Sequence, residues 1–274
     1  MLYIIATPIG NLKDITLRAL EILKEVDLIL AEDTRQTRRL LMHYEINKPL
    51  QSYHQHSRLQ KIDWILDLLR QGKNLALVTD AGTPGIADPG NRLVEVVCHS
   101  EFISESSRDV LDEIPKRVRD DNGYNISISP IPGPCALTAA LSISGLPTDK
   151  FLFLGFPPAK KKRQKFFEQV VNSKHTVVFY ESCHRILRTL EDLNVILSVA
   201  KRSEESREYD GSSLRSFGQS PQDDINERQL VVCRELTKKF ETIYRGDCAP
   251  IISQLKKENH EPRGEFVVVV APTP

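Results

Sequence analysis

Residues 74–90 read NLALVTDAGTPGIADPG, and the reading of this stretch decides the class of fold. Asn74–Thr79 is an apolar run of strand length, too short for a buried helix. Asp80–Gly90 follows it with three glycines and two prolines in eleven residues. Such a composition pre-shapes a loop and leaves it little conformational freedom to lose. A loop of this kind after a strand is where open parallel α/β sheets bind their ligands.

Working outward, Leu2–Ala6, Asp27–Ala31 and Ile126–Ile128 read as further strands. Thr16–Val26, Thr34–His43, Ser57–Gln71 and Asn91–Val97 have helical spacing. In Ser57–Gln71, for instance, Leu59, Ile62, Ile65, Leu66 and Leu69 fall on one face. Strands alternating with helices predict a mainly parallel sheet covered by helices. Two more loops carry the same punctuation: Thr7-Pro8-Ile9-Gly10-Asn11 after the first strand, and Pro130-Ile131-Pro132-Gly133-Pro134-Cys135-Ala136 before a helix. Neither a G-x-x-x-x-G-K-[ST] loop nor a G-x-G-x-x-G fingerprint is present, which disfavours a nucleoside triphosphatase and a nicotinamide dehydrogenase. The three loops suit a ligand held by backbone atoms and shape.

The pattern breaks at Gly145–Lys150 and restarts. The second half reads as strand Phe151–Phe156, helix Lys161–Val171, strand Thr176–Glu181, helix His184–Leu193, strands Gln229–Glu235 and Glu241–Arg245, helix Ala249–Glu258 and strand Glu265–Ala271. Hairpin-like neighbours late in the chain predict a mixed sheet. The expected architecture is α/β, with an N-terminal domain over 1–147, a C-terminal domain over 148–274 and a ligand cleft between them. Two polar segments, 99–122 and 200–226, interrupt this rhythm. They carry too little apolar surface to offset the entropy of ordering and read as surface insertions. Both connect a helix to a strand, so they are expected on the side away from the ligand loops.

At 274 residues and 40% hydrophobic content each domain can bury a core. The net charge is zero, so a nucleic-acid partner needs a local basic patch rather than a global field. One such patch is Lys160, Lys161, Lys162, Arg163 and Lys165, five cations in six residues at a helix start. The helix dipole disfavours positive charge there, which phosphate groups would relieve. A second is Arg35, Arg38 and Arg39, which helical spacing places on one face. Salt bridges with Glu32, Asp33 or Glu45 account for it equally well. The five cysteines form no C-x-x-C pair, which argues against a disulfide framework or a zinc site and fits a reducing compartment. No basic stretch precedes Met1–Ala6, and Phe266–Ala271 is too short to span a bilayer. A cytoplasmic protein without membrane or metal is expected.

The runs ATPIGNLKDIT, AEDTRQTRRLL, VTDAGTPGIADPG, PIPGPCA, FLGFPP, YESCHR and RELTKKFE occur in this order. In sequence and order they resemble the small-subunit ribosomal RNA methyltransferase I family of the tetrapyrrole methylase superfamily. The resemblance covers nearly the whole chain except the two polar segments. It implies S-adenosylmethionine (SAM)-dependent methylation of a cytidine ribose 2′-oxygen in small-subunit (16S) ribosomal RNA, naked or in the assembled subunit, by a homodimer with SAM between its domains. Carried over by position, Pro8, Gly10, Asp80, Gly82, Gly85, Ile86 and Ala87 would line the SAM site, with Ala136 and Leu137 continuing it. Phe179, Tyr180, Leu236 and Thr237 would reach the adenine, although Phe179 and Tyr180 read equally as ordinary strand core.

Deprotonation of the ribose hydroxyl has candidate bases in Glu32, Asp33, Glu181, His184 and Glu235, of which Asp33 and Glu181 are favoured. Two other functions fit parts of the same pattern. One is carbon methylation of a tetrapyrrole, whose polyanionic substrate would also use basic residues. The other is a non-catalytic RNA-binding assembly factor, against which the intact Asp80–Gly90 loop argues.

Overall fold

The computed structural model describes residues 1–54, 59–88, 90–102, 126–208, 229–258 and 263–273. They form two compact units, Met1–Cys135 and Ala136–Pro274.

The first unit holds strands β1 (Leu2–Ile5), β2 (Leu28–Ala31), β3 (Leu50–Ser52), β4 (Leu75–Val78) and β5 (Ile128–Ile131). All neighbours in the order β3-β2-β4-β1-β5 are parallel. The helices are α1 (Leu17–Glu25), α2 (Thr34–His43), α3 (Leu59–Arg70) and α4 (Gly90–Phe102). Strand side chains alternate between faces, and both faces are covered. Ile5, Ile29, Ala31, Ala76 and Val78 pack with Ala19 and Leu23 of α1 and Leu40 and Leu41 of α2. Leu2, Leu28, Leu30, Leu75 and Leu77 pack instead with Ile62, Ile65 and Leu66 of α3 and Leu93 and Val97 of α4. Burial on both faces is why β2 and β4 read as unbroken apolar runs rather than alternating ones. β1 and β4 are neighbours whose following helices cover opposite faces. Their carboxyl ends therefore form the switch point at which such sheets bind ligands.

The second unit holds β6 (Phe151–Phe153), β7 (Thr176–Ser182), β8 (Leu230–Arg234), β9 (Thr242–Gly246) and β10 (Glu265–Val270) in the order β6-β7-β10-β8-β9. Only the β6–β7 pair is parallel, so the sheet is mixed. Helices α6 (Arg163–Val171), α7 (Ile186–Glu208) and α8 (Cys248–Glu258) bury one face through Phe167, Leu190 and Ile251 against Val177, Phe179, Val232 and Val268. Helix α5 (Ala136–Ser144) packs on β10 and β7.

Two features differ from the sequence reading. The unit boundary lies at Cys135–Ala136, ahead of the Gly145–Lys150 break. Helix α5 belongs with the second sheet because β9 holds its last turn: Arg245 donates to the carbonyls of Ile143 and Ser144, at 2.5 and 2.9 Å. Strand β3 has no clear sequence signal, being three half-buried residues at a sheet edge. Of the two polar segments, 99–102 end α4 and 200–208 continue α7, while 103–122 and 209–226 lie outside the described residues.

Candidate functional site

The loops after β1, β4 and β5 meet at the carboxyl edge of the first sheet. Thr7 and Gly82 exchange two backbone hydrogen bonds, 2.9 and 3.0 Å long, which join the first loop to the second. The Thr7 hydroxyl donates to the carbonyl of Thr79 at 3.1 Å. Thr83 donates through its hydroxyl to the carbonyl of Pro134 at 3.1 Å, joining the second loop to the third. Gly82 has φ +84, a conformation that strains any residue with a side chain. Inside the long loop, Asp88 Oδ1 accepts from the amides of Gly85 and Gly90 at 2.7 and 2.8 Å. Ala87 sits at φ 64 without being glycine, which only a firmly held loop tolerates. Pro8, Gly10, Asp80, Gly82, Gly85, Ile86 and Ala87 are thus brought into one cluster, with Gly10, Ile86 and Ala87 exposed.

Acidic residues gather beside it. Asp80 accepts from the amide of Asp33 at 2.9 Å, and the Thr79 hydroxyl donates to Glu32 at 2.7 Å. Partial burial, aided by the nearby Glu32 and Asp33 carboxylates, pushes the Asp80 carboxyl above its ordinary value. Behind the loop a small recess is lined by Glu32, Tyr53, Thr79, Pro84, Asp88 and Gly90. Tyr53 lies in none of the sequence motifs, and Thr79 lies in one without a role assigned to it. Their positions depend on β3 and on which strands are neighbours.

Asp33, one of the two favoured bases, is already engaged. It caps α2 by accepting from the Arg35 amide and is bound in a fork by the Arg35 guanidinium, at 2.8 to 3.3 Å. Those bonds hold its pKa down to about 2. Arg35 is correspondingly engaged, whereas Arg38 and Arg39 are exposed on α2.

The second unit separates its expected site residues by strand alternation. Val177, Phe179 and Glu181 face α6 and α7, while Tyr180 points to the other side. Phe179 is wholly buried against Phe166 and Phe167, so the expected adenine contact is instead core. Glu181 is wholly buried too, and every oxygen is used. It pairs with Arg185 at 2.8 Å and accepts from the Ser182 amide at 2.8 Å and the Thr189 hydroxyl at 2.6 Å. Thr189 in turn accepts from Arg163 at 2.8 Å, and Arg163 pairs with Asp192 at 2.7 Å. Arg163 and Arg185 also donate to the carbonyls of Pro158 and Pro157. This network fastens the Phe-Pro-Pro loop to α7, a structural task in place of the catalysis expected of Glu181 and the RNA contact expected of Arg163. Lys160, Lys161, Lys162 and Lys165 remain exposed around that buried strut.

Tyr180 accepts from the Leu137 amide at 3.1 Å and so caps α5 within its own unit. Ala136 is half-buried at that helix start and Leu137 is buried. Leu236 and Thr237 lie in a rigid turn after β8: Glu235 and Thr237 have φ 52 and 65, and Lys238 bridges Glu235 and Glu265 at 2.9 and 3.0 Å. His184 is exposed and Glu235 is taken up by that pairing. Among the described residues no group of three or more His, Cys, Asp or Glu is placed to hold a metal ion, and no helix is long and apolar enough to cross a membrane.

Comparison with known proteins agrees with this architecture. The model of the tetrapyrrole (corrin/porphyrin) methylases matches residues 1–105 and 113–251. Ribosomal RNA small subunit methyltransferase I of Escherichia coli O157:H7 is 40% identical over 98% of this chain and 77% of its own length. The protein of that name from Thermotoga maritima is 38% identical over 98% of this chain and 97% of its own length. Among solved structures, the methyltransferase CobJ superposes with a TM-score of 0.58 at 17% identity, covering 99% of this chain and 93% of its own. The cobalt precorrin-4 methyltransferase CbiF gives 0.56 at 15%, covering 98% and 94%. At those identities the two structures speak for the fold alone. The parallel first sheet, the mixed second sheet and the near full-length relatives lead to one conclusion: this chain belongs to the tetrapyrrole methylase family and, within it, to the group of ribosomal RNA small subunit methyltransferase I.

Proposed function

We propose that the chain methylates small-subunit ribosomal RNA from SAM, at the 2′-oxygen of a cytidine ribose. The observation that carries the reading is the clasp of three loops at the switch point, Thr7 to Gly82 and Thr83 to Pro134, in a chain whose relatives are named as small-subunit ribosomal RNA methyltransferases. The residues fit a polar, elongated cofactor held mainly by backbone. Gly82 and Gly85 take positive φ, which lets the loop backbone turn its polar groups toward a ligand. Gly10, Ile86 and Ala87 line the exposed rim beside Pro8.

When bound, SAM supplies an electrophilic methyl group on a sulfonium. The Asp80 carboxylate, crowded by Glu32 and Asp33, is the acceptor that gains most from a cation or hydroxyl placed beside it. In the second unit, Ala136, Leu236 and Thr237 would be cofactor contacts, as the resemblance implies, with Tyr180 capping the helix that carries Leu137. Alignment of the ribose hydroxyl is the main contribution asked of the protein, since the methyl donor is already activated. Lys160, Lys161, Lys162, Lys165, Arg38 and Arg39 would hold phosphates. The protein would work as a homodimer in the cytoplasm.

The test is incubation with methyl-labelled SAM and either purified small subunits or naked ribosomal RNA, followed by mapping of the labelled nucleotide. Label on a cytidine ribose is expected. Label only on an added tetrapyrrole would overturn the reading, and equilibrium sedimentation at micromolar concentration would decide the dimer.

A further inference from the structure

The second sheet brings three separated stretches of sequence to one edge. β6 and β7 are parallel, β10 runs against β7, and β8 and β9 run against β10 and β8 in turn. The carboxyl ends of β6, β7 and β8 and the amino ends of β9 and β10 therefore share an edge. The 154–162 loop, the turn at 235–241 and Arg263 all emerge there. Lys160, Lys161, Lys162, Lys239 and Arg263 are exposed on it. The acids on the same edge are mostly occupied: Glu181 is buried with Arg185, and Glu235 and Glu265 share Lys238. Glu241 is exposed but accepts from the Thr237 amide at 2.6 Å. Among the described residues the unspent charge of the edge is positive.

Two large aromatic side chains stand out of that surface. Phe156 is 50% exposed and Phe240 is 67% exposed. Neither is loose. Phe156 has one side against Tyr180, with centroids 5.6 Å apart and planes at 64°, which leaves its other side to solvent. Phe240 carries the Lys239 ammonium 5.5 Å from its ring centre, on the turn stiffened by Glu235, Lys238 and Glu265. Two exposed aromatic rings set among lysines offer a stacking face beside cations. Nucleobases on a phosphate backbone match that chemistry: bases stack on aromatic faces while cations track the backbone.

We infer that this edge is a single-stranded RNA platform, with Phe156 and Phe240 each stacking a base and the surrounding lysines holding phosphates. The inference rests on the proposed function and names where the RNA strand lies. β6 and β8 are three strand spacings apart in the sheet, or roughly 14 Å at about 4.8 Å each. A few nucleotides of one strand would span that distance. That length suits an unpaired stretch, since bases inside a duplex are not free to stack on protein.

The test compares Phe156→Leu, Phe240→Leu, the double variant and the aromatic exchange Phe156→Trp, using a fluorescent unstructured RNA oligonucleotide across a salt series. Leucine keeps apolar bulk and removes the ring. Each Leu variant is expected to lose about tenfold in affinity, while Phe156→Trp holds it. The dependence of log K on log salt stays at the wild-type slope, because no phosphate contact is removed. SAM titration and sedimentation of the same variants are expected to match the wild type. Leu variants that bind RNA as tightly as the wild type would overturn the platform. So would a change of oligomeric state or of SAM affinity, which would assign the rings to a subunit or cofactor contact. Methyl transfer by the wild-type protein to small subunits is measured alongside. If it fails, the proposed reaction fails, whereas unaffected Leu variants of an active protein sink the platform alone.

Discussion

The carboxylate of Asp80 accepts a hydrogen bond from the backbone amide of Asp33 at 2.9 Å, tying the end of β4 to the start of α2. This places the first residue of the glycine-rich loop beside Glu32 and Asp33, and partial burial raises its pKa. The ionised form is therefore a burden on the folded state at neutral pH, relieved as pH falls through the raised folded pKa.

Asp80→Asn keeps an acceptor for the Asp33 amide and removes the burden. Its melting temperature at neutral pH is expected to be no lower than wild type, with the difference shrinking as pH falls. SAM affinity is expected to drop at least about tenfold, the common cost of stabilising a functional site. Melting curves at about pH 7 and about pH 4.5 with calorimetric SAM titration check both. A clearly less stable variant at neutral pH would contradict the assignment.

Asp33 shows the opposite shift. Its pairing with Arg35 lowers its pKa to about 2, so the contribution of this contact is present above the ordinary value of 3.8 and lost as pH falls toward 2. Asp33→Asn should flatten that acid loss. Methyl transfer between about pH 6 and about pH 9 should keep the wild-type profile within a few-fold, since a carboxylate of such low pKa is a poor base. Loss of the basic limb of the profile would restore Asp33 as the base.

Glu181 and Arg163 lie at the two ends of a buried chain through Thr189. Removing Glu181 takes the acceptor from the buried Thr189 hydroxyl and the partner from Arg185, and removing Arg163 leaves Asp192 without its partner, at a cost of about 1–3 kcal/mol each. Urea unfolding of Glu181→Ala and Arg163→Ala is expected to show losses of that size, against less than about 0.5 kcal/mol for Lys161→Ala at the surface. Equal stability of all three would remove the network from the account of the fold.

The exposed lysines carry the complementary prediction. Lys160→Ala, Lys161→Ala and Lys162→Ala combined should lower the slope of log K against log salt by about 2, at about 0.7 per phosphate on a single strand. Melting temperature and SAM affinity should stay unchanged. An unaltered slope would place the RNA elsewhere.

Much of this protein was legible in the chain itself. Apolar runs such as Leu75–Val78 and the helical spacing of Leu59–Arg70 marked the alternation of the first unit. Asp80–Gly90 declared a shaped loop, because glycine and proline act on the backbone locally and need no neighbours to be read. What the sequence could not decide was direction and partnership. Phe179 and Tyr180 are adjacent in a motif, yet strand alternation sends one into the core and the other to cap α5. Asp33, Glu181 and Arg163 have the residue types of a site, but their partners Arg35, Thr189 and Asp192 turn them into caps and struts. Strand order put Thr7 beside Gly82 and set Phe156 and Phe240 on one edge. Local propensity acts along the chain, whereas burial and pairing depend on which strands become neighbours, and that is decided only when the sheets close.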